Sequence, residues 1–101
     1  MQESVGGIEA LLSVNARLLD SFARDLDDGV ALTAAEANIL KLTVTNNAIA
    51  AVEQALSLTS NHGLSRTNPL ERHYRDVLCG RVHTPQDDST RLAAGRLALG
   101  I

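Results

Sequence analysis

Thr33 to Leu58 reads TAAEANILKLTVTNNAIAAVEQALSL, and this stretch decides the fold class. Thr33-Ala34-Ala35-Glu36 is a capping box, in which the Thr33 hydroxyl accepts from a backbone amide and the Glu36 carboxylate reaches back to the cap. Leu40, Val44, Ala48, Ala51, Val52, Ala55 and Leu58 then return to one side of a helix through several turns, until Asn61, Gly63 and Ser65 end it. Its many alanines let neighbouring helices approach closely, which suits a central helix rather than a peripheral one. Asn46 and Asn47 interrupt the apolar run. Either one faces water, or one is buried and sets the register of helix packing through a satisfied hydrogen bond.

Working outward, the segment before it repeats Ile8, Leu11, Leu12, Leu18, Leu19, Phe22 and Leu26 at three- and four-residue steps, with charges between them. This predicts an amphipathic helix that stops at Asp27-Asp28-Gly29, where acids oppose the helix dipole and Gly29 can take a left-handed cap. Downstream, Asn68-Pro69-Leu70-Glu71 is a marked helix start, followed by an apolar stripe of Leu70, Tyr74, Val77, Leu78 and Val82. Thr84-Pro85-Gln86-Asp87 repeats the same start for a last helix whose Leu92, Ala93, Leu97 and Leu99 are expected to pack. The expected fold is all-α, an up-down four-helix bundle forming a single helical domain, with helices at about 4–27, 34–61, 69–82 and 85–98.

The chain has 101 residues, 45% hydrophobic and only 2% aromatic, with a formal net charge of −3. Leu, Val, Ile and Ala must therefore supply the core, which favours packed helices over sheets. No apolar run approaches the roughly 18 residues of a membrane span, and the N-terminus does not read as a secretory signal. The expected compartment is cytoplasmic. One Lys, mild acidity and two aromatic residues supply neither a basic patch nor a stacking platform, so nucleic acid is not an expected partner. The single cysteine, Cys79, forms no internal disulfide and is expected to be a small buried hydrophobe. Cys79 and His83 share a helix face at i, i+4, but two ligands without a CxxC or a second His pair do not make a zinc site, so no metal is expected.

Titratable residues concentrate in Asn68 to Asp88, NPLERHYRDVLCGRVHTPQDD. Pro69-Leu70-Glu71-Arg72, Tyr74-Arg75-Asp76 and the His83-Thr84 junction resemble the C-terminal helical domain of the acyl-CoA dehydrogenase family, and within it the type 2 subgroup shared with flavin-dependent monooxygenases. The resemblance runs over nearly the whole chain and is specific at residues 69 to 88. It implies a piece of a larger flavoprotein oxidoreductase, in which helical N-terminal and barrel-like middle domains precede this one. It further implies FAD held between domains and subunits, an acyl-CoA or aromatic substrate, and C-terminal domains that form much of a homo-oligomer. Such a chain needs those missing domains, or a partner chain, to complete the pocket and is not expected to be active alone.

The resemblance also singles out site residues. Many dehydrogenases of the family carry a catalytic Glu near the position of His83-Thr84, and no carboxylate stands there; the monooxygenase-like members carry a His, which makes His83 the candidate catalytic group. An imidazole exchanges protons near neutral pH, although a histidine in a last helical turn is also explained by the dipole. Arg66 and Arg75, with Gln54 and Ser57, are the candidate cofactor-binding residues. Arg75 and Asp76 are more simply read as an ion pair bracing neighbouring helices, the other three as solvated polar groups. The glycine pair of the family's turn is reduced to Gly63 alone in Thr59-Ser60-Asn61-His62-Gly63. The second reading of the whole chain is a stand-alone helical interaction module that kept the bundle and lost the chemistry.

Overall fold

The computed structural model describes residues 1–59, 69–81 and 87–101. Its four helices are α1 (Gln2–Asp27), α2 (Ala34–Thr59), α3 (Pro69–Leu78, continued by a 3-10 turn Cys79–Arg81) and α4 (Asp87–Leu99). There is no strand among the described residues, and no helix there is long and apolar enough to cross a membrane. The chain is all-α. The expected start of the last helix at Thr84-Pro85 and the exit at Asn61 to Ser65 lie outside the described residues.

Local chemistry sets the ends. At the start of α2 the Glu36 amide donates to Thr33 Oγ1 at 3.1 Å, and the Thr33 amide donates to Glu36 Oε2 at 3.2 Å, closing the capping box. α1 ends in a Schellman motif, with Gly29 at φ 74° and the amides of Gly29 and Val30 donating to the carbonyls of Leu26 and Asp25. α4 ends the same way at Gly100, φ 72°.

α2 is the centre. All three buried apolar side chains among the described residues, Ile49, Ala51 and Leu56, belong to it, and α1, α3 and α4 each pack on it. α1 runs antiparallel to α2: Gly7 lies beside Gln54, Asn15 beside Val44 and Asn47, and Phe22 beside Leu40. α3 is antiparallel to α2 as well, with Tyr74 against Glu53 and Gly80 against Thr45. The buried set differs from the single row expected for α2, because a helix contacted on several sides buries Ile49 and Leu56 as well.

The asparagine question resolves at Asn47. Its Nδ2 donates to Asn15 Oδ1 at 3.0 Å, and Asn15 Nδ2 donates to the Val44 carbonyl at 3.0 Å, so α1 and α2 are registered by a two-residue polar link. Asn15 is 8% exposed. A substitution at Asn46 would miss this link.

Three packing expectations are corrected. In α1 the row toward α2 is Ile8, Leu11, Asn15, Leu18, Phe22 and Asp25, whereas Leu12, Leu19 and Leu26 are about half exposed. In α4 Leu92, Ala93, Leu97 and Leu99 are exposed, and the residue that the helix buries is Thr90, with Ala94 half-buried one turn on. Cys79 is exposed rather than buried, its thiol donating to the Arg75 carbonyl at 3.6 Å in the 3-10 turn. The Cα radius of gyration is 16.0 Å, against about 13 Å for a compact domain of this length, in keeping with an elongated shape of 47 by 27 by 23 Å.

Candidate functional site

The predicted cofactor residues that fall on described segments lie toward the C-terminal end of α2 and on α3. Gln54 points to the α1 side: its Oε1 sits 3.0 Å from where a side chain at Gly7 would begin, so Gly7 makes the room it occupies. Ser57 is exposed, and its hydroxyl donates back to the Glu53 carbonyl one turn earlier at 3.2 Å, which leaves the oxygen lone pairs available to a donor. Glu53 is the hinge of this region, since its Oε1 also accepts from the Tyr74 hydroxyl at 3.3 Å and ties α3 to α2.

Arg75 does not pair with Asp76. Its Nη2 stands 3.0 Å from Glu71 Oε2 in its own helix, an i, i+4 pair, with Arg75 58% exposed and Glu71 largely covered. Glu71 Oε2 is shut off from solvent and makes no well-aligned hydrogen bond, so the guanidinium charge compensates it. The pair orients Arg75 along α3 and leaves its remaining donors toward solvent. His83 and Arg66 lie outside the described residues.

An apolar concavity lies elsewhere. A groove of about 310 Å³ runs between the end of α1 and the start of α2, walled by Leu18, Phe22, Leu32, Ile39 and Leu40. Its α2 residues precede Gln54 and Ser57 by about 14 positions, or roughly 21 Å of helix. None of the described site candidates, Gln54, Ser57 and Arg75, lines it. The described candidates are exposed polar groups set on two sides of α2, Gln54 toward α1 and Ser57 and Arg75 about the Glu53–Tyr74 contact with α3. Among the described residues, no three His, Cys, Asp or Glu side chains cluster to hold a metal ion.

Sequence reasoning missed Glu53, Glu71 and Asn15. The i, i+4 spacing of Glu71 and Arg75 was a usable signal. The contact of Glu53 with Tyr74, 21 residues away, had none.

The chain is similar to known proteins. The family model described as acyl-CoA dehydrogenase, C-terminal domain, matches residues 1–98. A protein of Bacillus subtilis (strain 168) named "Putative acyl-CoA dehydrogenase YdbM" is 40% identical over 100 residues, covering 93% of this chain and 26% of that protein. The chain thus spans about a quarter of the length of this relative. No solved structure matches it.

Proposed function

Since the chain belongs to the acyl-CoA dehydrogenase family, as a C-terminal helical domain, we propose that it serves a flavoprotein oxidoreductase by giving subunit contacts and one edge of a flavin and substrate site. The observation that carries the proposal is the exposure of Ser57 and Arg75 about the Glu53–Tyr74 contact, with Gln54 on the α1 side, in a domain whose match covers residues 1–98. Polar groups on an exposed edge make a binding site only when a second surface closes over them.

These residues fit FAD as an edge fits. The free donors of Arg75 suit a phosphate, while the Gln54 carboxamide and the Ser57 oxygen suit ring or ribose hydrogen bonds. Bound FAD would supply two-electron chemistry that no side chain of this chain provides. Glu71 holds Arg75 in orientation, and His83 is the candidate to give or take a proton at a substrate or flavin oxygen. We place the chain in the type 2, monooxygenase-like subgroup on the histidine at that junction and the absence of a carboxylate there. The rest of the proposal follows the family: N-terminal and middle domains or a partner chain complete the pocket, the substrate is an acyl-CoA or an aromatic compound, the compartment is cytoplasmic, and the chain by itself is inactive.

Co-expression with the N-terminal and middle domains of a family member tests this reading. The assembled protein is expected to retain FAD through gel filtration, and Arg75→Met to lower the retained flavin several-fold at unchanged helix content. Flavin retention that is indifferent to Arg75 removes that residue from the site. The second reading, a non-catalytic interaction module, is favoured by the exposed leucines of α1 and α4, and an assembly that never retains flavin would support it.

A further inference from the structure

The tip of the α1–α2 hairpin sets apolar and acidic side chains side by side, away from the residues assigned to flavin. The groove of about 310 Å³ there is walled by Leu18 and Phe22 of α1, Leu32 of the connection, and Ile39 and Leu40 of α2. Ile39 is 41% exposed, so this wall is open to a ligand from solvent. Along α1 the groove runs from Leu18 to Asp25, seven residues or about 10 Å. That length and volume suit one small molecule, at the lower end of the range of about 300–1,000 Å³ found for ligand sites. A docked helix of several turns would need a longer track.

The charged lining has a single sign. Asp25 and Glu36 line the groove, and no Lys, Arg or His among the described residues does. Glu36 is half engaged: its Oε2 accepts from the Thr33 amide at 3.2 Å, which leaves Oε1 for a second donor. Asp25 is half-buried, and among the described residues its carboxylate has neither an ion pair nor a hydrogen bond. The Asp25 backbone carbonyl is occupied by the Val30 amide at 2.8 Å, so the side chain is the part left over. Arg24 does not answer this charge, since its Nε is paired with Asp20 at 3.1 Å. Asp27, Asp28 and the negative end of the α1 dipole add to the same field. A carboxylate drawn partly out of water beside apolar walls is favoured by a cation brought to it.

We propose that this groove binds a small amphiphilic amine, with its apolar body along Phe22, Ile39 and Leu40 and its ammonium group donating to the carboxylates of Asp25 and Glu36. Charge complementarity selects the occupant. A fatty carboxylate of the same shape would meet two like charges, and a neutral alcohol would leave Asp25 uncompensated. An ammonium group carries three donors and no acceptor, which matches a lining of two carboxylates with the Ser21 and Thr43 hydroxyls beside them. The site lies at the end of α2 away from Gln54 and Ser57, and it makes no use of flavin.

Calorimetric titration of the full chain with octylamine, octan-1-ol and octanoate tests the proposal, with amide chemical shifts to locate the binding. Octylamine is expected to bind one-to-one, about tenfold or more tighter than octan-1-ol, with shifts concentrated at residues 18–25 and 32–43. Octanoate is expected not to bind. Asp25→Asn keeps the shape, removes the charge and is expected to take octylamine most of the way to the affinity of octan-1-ol, at unchanged far-ultraviolet helicity. Ser21→Phe, at an exposed position, fills the groove and is expected to abolish binding of both. Octylamine that binds no better than octan-1-ol overturns the proposal, as does an affinity indifferent to Asp25→Asn or shifts centred elsewhere. A groove already filled by a second copy, shown by a dimer that Ser21→Phe dissociates, overturns it as well. No readout involves flavin, so failure here is distinct from failure of the cofactor reading.

Discussion

Along one flank of α2, Ile49 is 1% exposed and Gly80 comes so close to Thr45 that a methyl group placed on it would lie 2.6 Å from Thr45 Cγ2. Along the other, α1 leaves grooves of about 310 and 320 Å³ and is tied down by two asparagines. The α3 flank obtains its geometry from shape, since interiors at close-packed density leave no second way to seat the turn Cys79–Arg81. The α1 flank is bordered by open grooves, and apolar packing alone is tolerant of slippage there. There the polar link between Asn15, Asn47 and the Val44 carbonyl selects one register, because any other would bury those groups without partners.

The comparison breaks most visibly at Ile49, which lies between Thr45 and Glu53 on the side of α2 that meets α3. Ile49→Ala is expected to cost about 2–5 kcal/mol, read as a lowered denaturant midpoint, because a tightly packed site cannot collapse around the lost atoms. A loss below about 1 kcal/mol would show that the α3 flank relaxes as freely as the other.

Gly80→Ala sharpens the same point. Overpacking against Thr45 is expected to cost about 1–3 kcal/mol. Thr45→Ser removes the very methyl group that the new Cβ would meet, so the double variant is expected to recover most of the loss. A double-mutant cycle with no coupling would place the strain elsewhere.

The α1 flank responds differently. Asn15→Leu leaves Asn47 without its acceptor and is expected to cost about 1–3 kcal/mol. Adding Asn47→Leu removes the orphaned group, so stability returns while uniqueness of packing declines. Broadened amide resonances at near wild-type stability are the signature to look for. A double variant as ordered as the wild type would mean that shape alone registers α1.

These differences mark what was legible beforehand. The start of α2 at Thr33 and the end of α1 at Gly29 were readable because each is a local exchange of hydrogen bonds within six residues. The central place of α2 followed from its alanines, and the family from residues 69 to 88. The identity of the registering asparagine was not readable, because Asn47 matters only through Asn15, 32 residues away. The same holds for Gly80, whose need for a bare Cα comes from Thr45 on another helix. The leucines of α4 misled for a physical reason: an apolar stripe identifies a face to be covered, not the helix that covers it. Of the candidate site, Gln54, Ser57 and Arg75 are exposed but divided between the α1 and α3 sides of α2, while the intrahelical Glu71 partner of Arg75 replaced the expected brace.

The central claim is that this domain supplies one edge of a flavin site and needs another surface to complete it. Native mass spectrometry of the purified chain, with and without added FAD, and of its assembly with N-terminal and middle domains, tests that claim most directly. The account predicts an oligomer of the isolated chain that carries no flavin and an assembly that carries one FAD per copy. Stoichiometric FAD on the isolated chain would contradict it.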